Sequence, residues 1–393
     1  MLHERGIGAR VYEAAPEIKP IGVGISLLPH ASKELGLLGL TDALSDVAVT
    51  TRESCFFNRF GQFVYSEPVG RHAAGAPVAY LDRVADGAGR VLPGHRCTGV
   101  DSDARGAVAH FVDSSTGRAL PPARGAAVIG CDGIHSVVRQ QFFPDEGPPV
   151  YSGVNMWRGT TVWEPFLSGS TYLRAGWLTV GKMVIYPIRH NVDGQGRQLV
   201  NWVAEVQTDS YSEQDWNRTG RLEDFYGIFA AWTFDWLDVA GLIRGAEQIL
   251  EYPMVDRDPL PRWTHGRVTL LGDAAHPMYP RGSNGAGQAI LDARALADCL
   301  QSMESFPAAL QAYESQRLAA TAAVVHASRS APPDVILKAV HERTGDRPFE
   351  QITDVITPPR WPSCPTATSA SPDMTASRWP AVGISSVGRG VVG

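Results

Sequence analysis

Apolar runs that lead into helical stripes stand near both ends of the chain, and this alternation predicts a parallel α/β sheet. Residues 9–15 have the pattern of a short strand ending in the acid Glu13, and residues 126–142 that of a buried strand, a turn and a helix. Residues 267–273 repeat the strand pattern. From Asn284 onward, apolar residues recur every three or four positions, as on a helix that packs against a sheet.

The middle of the chain has a different pattern of hydrophobic and polar residues. Its β-rich runs are separated by polar turns with no helices between them, and they occupy residues 154–163, 182–190 and 198–206. This pattern predicts an antiparallel layer. Nearer the N-terminus, residues 29–40 predict a helix and residues 53–67 a hairpin. The fold class that follows is α/β, with a parallel-sheet domain and a mainly antiparallel domain.

Tryptophan is concentrated in the same middle region, which holds seven of the ten: Trp157, Trp163, Trp177, Trp202, Trp216, Trp232 and Trp236. An aromatic-lined pocket is therefore expected there. The alternative is that these side chains pack in the core and at interfaces.

Composition narrows the possible functions. The 393 residues are 44% hydrophobic and carry a formal net charge of −6, so neither nucleic acid nor an anionic membrane is an expected partner. The five cysteines are scattered without a C-x-x-C pair, which favours no disulfide framework and no metal site. No apolar run is long enough to span a membrane, and a cytoplasmic location is expected.

The chemistry-bearing stretch follows the strand at residues 267–273. In open α/β sheets ligands bind beyond the carboxyl ends of parallel strands, where Asp273 can accept hydrogen bonds from ligand hydroxyls. The next turn has little side-chain cover, because it contains Gly282, Gly285 and Gly287. The helix that starts at Asn284 points its unpaired N–H groups outward. Such a site suits a phosphate or a ring oxygen that becomes negative. The alternative is a glycine-rich connection capped by an acid.

Two motifs carry a family resemblance. Residues 272–293 resemble the second flavin motif of the class A flavoprotein monooxygenases, which are aromatic hydroxylases, and residues 130–139 resemble that family's internal Asp-Gly motif. Residues 12–40 resemble its segment after the second strand, and the resemblance covers roughly residues 1 to 330. Three further segments look more particularly like phenazine hydroxylases: 156–159, 199–203 and 252–263.

The resemblance implies a domain organisation. A Rossmann-like FAD-binding domain would comprise residues 1–150 and 261–335, and a mainly antiparallel substrate domain would comprise residues 151–260. Residues 336–393 would form a C-terminal extension, which we expect to be disordered from about residue 358 because it is rich in Ser, Thr, Pro and Gly.

The resemblance also assigns roles to residues. Glu13 would bind the adenosine ribose of FAD, Arg83 would lie near the diphosphate, and Asp132 belongs to the Asp-Gly motif associated with flavin and NAD(P)H. Asp273 would hold the ribityl chain, and the Pro280 backbone would lie near the reacting oxygen. The backbone along the pyrimidine edge of the flavin would come from Gly282, Ser283, Asn284 and Gly285. For Arg83 and Arg139 the alternative is a solvated surface position, and His276 is expected to be structural.

The implied reaction is hydroxylation of a planar aromatic compound with FAD, NAD(P)H and O2 through a C4a-hydroperoxyflavin. No metal and no catalytic side chain are required, because the flavin supplies the chemistry. Two alternatives stay open. The chain could be a non-catalytic remnant with residual ligand binding, or a flavin-dependent oxidoreductase that inserts no oxygen. The oligomeric state is not predicted.

One departure from the family concerns the first residues. The family begins with a strand and a G-x-G-x-x-G turn, whereas this chain starts near the end of the following helix, and Gly22–Gly24 complete no such motif. Without that first strand, the neighbouring strands would lose backbone partners. Unpaired buried backbone groups cost about 1–3 kcal/mol each against a stability margin of roughly 5–15 kcal/mol. We therefore expect this polypeptide to bind FAD weakly or to fold poorly.

Overall fold

The computed structural model describes residues 1–18, 24–70, 79–81, 91–211, 218–330 and 333–356, with the backbone alone for 79–81. Contacts within the chain group Met1–Pro359 into one compact unit. Arg83, Trp216 and the predicted disordered tail lie outside the described residues. The domain boundaries inside the compact unit stay a prediction.

The strands and helices, in chain order, have the following bounds. The strands are β1 (Val11–Tyr12), β2 (Ile25–Leu27), β3 (Ala48–Thr50), β4 (Glu53–Phe57), β5 (Phe63–Pro68), β6 (Ala79–Leu81), β7 (Val91–Leu92), β8 (His95–Ser102), β9 (Ala107–Asp113), β10 (Ala119–Gly125), β11 (Val128–Gly130), β12 (Val150–Trp163), β13 (Thr171–Gly176), β14 (Lys182–Arg189), β15 (Gln198–Gln207), β16 (Thr233–Phe234), β17 (Leu237–Asp238), β18 (Ile249–Asp256) and β19 (Val268–Leu270). The α-helices are α1 (Pro29–Leu37), α2 (Thr41–Val47), α3 (Val137–Phe142), α4 (Tyr226–Phe229), α5 (Val239–Arg244), α6 (Gly285–Ser302), α7 (Phe306–Ser330) and α8 (Val335–Thr344). Short 3₁₀ helices cover His3–Arg5, Leu178–Val180, Leu222–Asp224, Gly272–Ala274 and Ile352–Asp354.

A seven-stranded sheet has the order β18-β12-β15-β14-β13-β4-β5. The β-rich runs of the middle region form β12, β14 and β15, which pair antiparallel. The hairpin β4–β5 joins this sheet through β4, which pairs parallel with β13 and is the one parallel join in the sheet. The predicted antiparallel layer is confirmed, and residues far toward the N-terminus complete it.

Strand register gives the sheet two faces with different contents. Opposite residues Leu173, Ile185 and Trp202 lie on what we call the far face, and their neighbours Tyr172, Tyr186 and Asn201 lie on the near face. The far face is covered by residues 222–246 and holds a large aromatic core. Trp157, Trp202 and Trp232 all pack in that core, so these three tryptophans line no pocket.

The near face is covered by earlier parts of the chain. Strands β3 and β6 contact β14, and β2 contacts α6. Leu28 and Tyr279 pack into a near-face cluster that includes Tyr172 and Tyr186. The start of α1 and the turn before α6 therefore approach the same side of the sheet.

Outside the seven-stranded sheet, the described residues form two separate parallel pairs, β1 with β7 and β11 with β19. Leu270 of β19 is fully buried and belongs to a second core, which includes Trp263 and Tyr313 and lies beneath α6 and α7. Helix α6 packs against both α1 and α7. This arrangement fixes the direction in which the chain leaves β19 toward Asp273.

The last described helix, α8, is attached to the near face by charge and by apolar contact. Lys182, which is buried on β14, pairs with Glu205 of β15 at 2.9 Å and also with Asp334 at the start of α8. Leu337 and Val340 of α8 pack with Phe56 of β4. These contacts hold the C-terminal part of the described chain against the sheet.

The mixed α/β fold class predicted from the sequence is confirmed. The hairpin expected at residues 53–67 is present as β4–β5. Gly6, with a φ of 70°, ends the first helical turn. The antiparallel sheet β10-β9-β8 was not anticipated. In the described part of the chain, every helix is too short or too polar to cross a bilayer.

Candidate functional site

Asp273 follows β19 within the 3₁₀ turn Gly272–Ala274. Gly272 has a φ of 62°, and a Cβ added there would lie 3.3 Å from Ala289 Cβ, so glycine suits the position. The Asp273 side chain reaches solvent, yet desolvation raises the pKa of its carboxyl, which the charge of His276 lowers in part. The Asp273 carboxylate is therefore open to a ligand, while the groups around it limit its contact with water.

The turn before α6 carries the bare backbone that the sequence predicts. Gly282 has a φ of 87° and Ser283 a φ of 56°, and both are partly exposed. The N-cap Asn284 makes no side-chain hydrogen bond to the helix start, and its Nδ2 donates instead to Gly282 O at 3.2 Å. The first N–H groups of α6 therefore lack a side-chain cap and favour a ligand with negative charge.

The acid and the helix start lie side by side. A Cβ added at Gly285, the first residue of α6, would stand 3.9 Å from Asp273 Oδ1. Any larger side chain at Gly285 would therefore enter the space beside the carboxylate. The structure brings Asp273 together with the turn at 282–285, as the sequence predicts. A carboxylate acceptor next to uncapped amide donors fits the ribityl chain and ring of FAD.

Asp132 is turned toward its own helix. Its Oδ2 accepts a hydrogen bond from Val137 N at 2.8 Å, and its Oδ1 accepts one from the Ser136 hydroxyl at 2.5 Å. Ser136 in turn caps α3 by accepting from Arg139 N. The Asp-Gly motif thus fixes the start of α3 on the strand β11.

Glu13 stands at the end of β1, where its backbone pairs with Leu92 and His95 near β7. One carboxylate oxygen accepts from Ala15 N at 2.8 Å, which closes the turn after the strand. Within the described residues, the hydrogen bonds of Glu13 stay among β1, β7 and the turn after β1, and none reaches the turn at 282–285. The ribose role of Glu13 stays a prediction.

Arg139 is buried, with 1% of its surface exposed, so a solvated surface position is wrong for it. Its guanidinium donates to Ala274 O at 3.1 Å and to Ala275 O at 2.9 Å, and it pairs with Glu146. Burial of a charged group requires such partners. Arg139 therefore anchors the backbone turn that carries Asp273.

His276 is also buried, and its Nε2 bonds to Asp292 of α6. Asp292 further accepts from Gly272 N at 3.1 Å and from Arg317 Nε at 2.8 Å. Burial raises the pKa of Asp292, but the His276 bond and the charges of His276 and Arg317 lower it overall. This network ties the turn at Asp273 to α6 and α7, which is a structural role for His276.

On the near face, three side chains converge on Gly24, and we call them the Arg158 cluster: Arg158, Tyr186 and Asn201. Gly24 N donates to Asn201 Oδ1 at 3.0 Å, and Gly24 O accepts from Arg158 Nη2 at 3.1 Å and from the Tyr186 hydroxyl at 3.3 Å. A Cβ at Gly24 would lie 2.5 Å from Ile188 Cγ2. Desolvation raises the pKa of Tyr186 to about 12.

Sequence reasoning missed Arg158, Asn201, Asp292 and the close contact at Gly24. A usable signal exists for two of them. Arg158 and Asn201 interrupt apolar alternation at positions where β12 and β15 face a buried layer, and polar residues at such positions call for a partner. Asp292 shows no such signal, because its partners come from three separate segments.

Comparisons with known proteins give the family of the chain. The model of the FAD binding domain family matches residues 252–328. Phenazine 1,6-dicarboxylic acid hydroxylase PhzS of Lysobacter antibioticus is 40% identical, over 84% of this chain and 85% of that protein. 3-Hydroxybenzoate 6-hydroxylase of Polaromonas naphthalenivorans is 31% identical, over 84% of this chain and 82% of that protein.

Solved structures give the same fold. HpxO of Klebsiella pneumoniae, complexed with FAD and uric acid, superposes with a TM-score of 0.70 at 22% identity, covering 87% of each chain. A salicylate hydroxylase substrate complex gives a TM-score of 0.65 at 22% identity, covering 87% of this chain and 89% of that one. The chain belongs to the FAD-dependent aromatic hydroxylases, the class A flavoprotein monooxygenases. Its cofactor is FAD, and by family it is a monooxygenase.

Proposed function

We propose that the chain hydroxylates a planar aromatic substrate of the phenazine or salicylate type, with NAD(P)H as reductant and O2 as oxidant. The observation that carries this proposal is the position of Asp273 beside the uncapped start of α6, with Gly285 leaving the space between them open. When bound, FAD supplies electron transfer and oxygen activation. The residues of the chain bind it, orient it and exclude water.

The proposed roles at the flavin follow the geometry. Asp273 would hold the ribityl hydroxyls, the backbone at 282–285 would hold the flavin ring, and Pro280 would lie near the reacting oxygen. The α6 start would stabilise negative charge on the ring, since its amides are already oriented. Within residues 1–150, the proposed role of Glu13 is to bind the adenosine ribose of FAD, and that of Arg83 is to lie near its diphosphate. Asp132 belongs to the Asp-Gly motif associated with flavin and NAD(P)H.

The proposed substrate surface is the near face of the seven-stranded sheet. Tyr172 and Tyr186 stack there with ring centroids 5.0 Å apart, and Val184 and Val203 are apolar neighbours. Two of the similar proteins described above are hydroxylases of phenazine 1,6-dicarboxylic acid and 3-hydroxybenzoate, which are planar aromatic acids. A flat, mostly apolar surface suits such rings.

The direct test supplies the 393-residue chain with FAD, NAD(P)H and ¹⁸O-labelled O2, and offers phenazine-1-carboxylate and salicylate as substrates. We expect substrate-stimulated NAD(P)H oxidation and a product that gains one labelled oxygen by mass spectrometry. Stimulated oxidation without label in the product would identify an oxidoreductase that inserts no oxygen. A chain that binds an aromatic ligand but holds no FAD at saturating cofactor would be a non-catalytic remnant.

The role of Asp273 is tested by Asp273→Asn, with Asp235→Asn as the matched change on an exposed hairpin. The amide keeps one acceptor but loses the charge, so FAD affinity should fall about five- to tenfold because charge-assisted hydrogen bonds are roughly twice as strong as neutral ones. Asp235→Asn should leave FAD affinity unchanged. Equal FAD affinity of Asp273→Asn and the unmodified chain, by fluorescence titration, would remove this residue from the site.

A further inference from the structure

Two glycines in the first turn of α6 each face a titratable side chain. A Cβ added at Gly285 would stand 3.9 Å from Asp273 Oδ1, and one added at Gly287 would stand 2.4 Å from His30 Nε2. His30 is the second residue of α1, and α1 packs against α6. The uncapped start of α6 therefore has an acid beside one glycine and a base beside the other.

The His30 ring is held against α6 by packing alone. Within the described residues, its Nε2 is buried and has no hydrogen-bond partner, which is rare for a polar atom. Gly287 turns its Cα toward this nitrogen, so the helix offers close contact and no hydrogen bond. The rest of the side chain is partly exposed, so the ring can exchange protons with water. His30 can therefore change its protonation state without breaking a bond at Nε2.

The charges around His30 favour its neutral form. Burial lowers the pKa of His30 below its ordinary value of 6.5, and the guanidinium of Arg317 on α7 lowers it further. Asp292 of α6 is engaged by Arg317 at 2.8 Å. Glu34 of α1 pairs with Arg294 of α6 at 3.3 Å. The other acidic groups on helices packed against α1 are Asp298, which is bonded to Arg294, and the exposed Asp42 and Asp46.

A negatively charged ligand at the start of α6 would reverse this balance. The positive end of the helix and Arg317 both repel a proton on His30. An opposite charge nearby favours the charged form of a group and strengthens proton binding about tenfold or more. The reductant of the proposed function, NAD(P)H, gives a hydride, so the flavin ring gains two electrons, one proton and one negative charge.

We propose that His30 balances the charge of the ligand at the start of α6: it stays neutral beside a neutral ring and takes up one proton when the ring becomes negative. The proton comes from water, and the hydride donor leaves as NAD(P)+, so electrons and charge balance. The inference rests on the proposed function and gives that site a pH dependence. His30 is a positioning residue, because it acts through the first turn of α6.

A direct measurement follows the protonation of His30 in the 393-residue chain labelled with ¹³C-histidine. The Cε1–H signal of His30 is titrated by NMR without FAD, with oxidised FAD, and anaerobically with reduced FAD. We expect the pKa of His30 to lie below 6.5 in the first two samples and to rise by about one or more in the third. The signal is assigned by its absence from the spectrum of His30→Gln.

The same variant tests the effect on cofactor binding. His30→Gln keeps a polar side chain against Gly287 but cannot take up a proton. The ratio of the Kd of oxidised FAD to the Kd of reduced FAD is measured in both chains at pH 8.5 and pH 5.5 by anaerobic fluorescence titration. As the pH falls, this ratio should rise about tenfold more in the unmodified chain than in the variant. Any titration of the ring itself is common to both chains and cancels.

The matched control is His326→Gln, which replaces an exposed histidine of α7. It should keep the pH dependence of the unmodified chain. If His30 served packing alone, His30→Gln would weaken both forms of FAD by the same factor at both pH values. That result, or an unchanged pKa of His30 on reduction of the flavin, would overturn the proposal.

The hydroxylation assay separates this proposal from the proposed function. A raised pKa of His30 with reduced FAD, but no hydroxylated product, would leave the proton uptake standing and refute the proposed function. Hydroxylation with an unchanged pKa of His30 would do the reverse. A chain that holds neither form of FAD at saturating cofactor would refute both.

Discussion

On the far face of the seven-stranded sheet, Trp157 stacks on Phe225 with ring centroids 5.0 Å apart, and Trp202 is fully buried. On each strand the residue adjacent to the tryptophan points to the other face, and there Arg158 and Asn201 carry unpartnered donors. The same strands thus serve two purposes through period-2 alternation. Tryptophan and phenylalanine side chains fill the far face, which stabilises the fold, whereas tyrosines and isolated polar residues lie on the near face, which is proposed to bind ligand.

The largest expected effect on stability comes from removing the buried charge of Lys182 on the near face. Lys182→Met would leave Glu205 and Asp334 buried together without a cation, and we expect a loss of about 3–5 kcal/mol in the free energy of unfolding. Burial raises the pKa of Asp334, but the charge and hydrogen bond of Lys182 lower it overall. In the unmodified chain, the ion pair of Asp334 with Lys182 contributes its full stability at pH values above the ordinary carboxyl pKa. That stability is lost as the pH falls through the lowered pKa of Asp334.

The variant should respond to pH in the opposite sense. Without Lys182, nothing offsets the repulsion between the two buried carboxylates, and the group that lowers the pKa of Asp334 is gone. Protonation then removes the repulsion, so the loss in free energy of unfolding relative to the unmodified chain should shrink between pH 8 and pH 5. Urea unfolding at both values measures this. The control is Lys338→Met, an exposed lysine of α8 paired with Glu342, expected to cost at most about 0.5 kcal/mol. A deficit that grows toward pH 5 would contradict the pairing.

The next largest effect on stability is expected from a cavity in the core of the far face. Ile185→Ala removes a side chain with 0% exposure and should cost about 2–5 kcal/mol, because a cavity remains in the aromatic core. Affinity for aromatic carboxylates should stay unchanged. Val184→Ala, one residue earlier on the near face, should cost less stability and weaken the ligand. The contrast between faces fails if Ile185→Ala weakens ligand binding as strongly as Val184→Ala.

The smallest effect concerns the layer over the near face. A Cβ at Gly287 of α6 would collide with His30 Nε2 of α1, so Gly287→Ala should cost about 1–3 kcal/mol and loosen the contact between these helices. His30→Ala in the same chain should restore much of the loss by making room. Gly227→Ala, where a Cβ meets nothing within 4 Å, is the control and should be nearly neutral. Thermal melting measures all three, and absence of rescue would refute close packing as the cause.

Local features of this fold could be predicted from the sequence. Asp273 and the glycine turn lie within thirteen residues of each other, so one strand-turn-helix pattern places them together. Strand alternation likewise predicted β12, β14 and β15. In each case, the pattern that predicts the element lies within one short stretch of sequence.

Features set by distant partners could not be predicted. Arg139 is buried because it bonds to a carbonyl 135 residues away, and Gly24 is held by Asn201 across 177 residues. The addition of β4 and β5 to the sheet depends on a parallel register that no local pattern specifies. Composition and periodicity describe which faces are apolar, but they do not say which segments meet.

The parallel join between β4 and β13 also has a consequence for how the chain matures. Glu53 and its partner Thr171 are 118 residues apart. At a synthesis rate of about 5–20 residues per second, the ribosome needs roughly 6–24 s to deliver β13 after β4 has been made. Throughout that interval β4 has no parallel partner, so Cys55 and Phe57, which are buried in the folded protein, stay within reach of a chaperone or a neighbouring nascent chain.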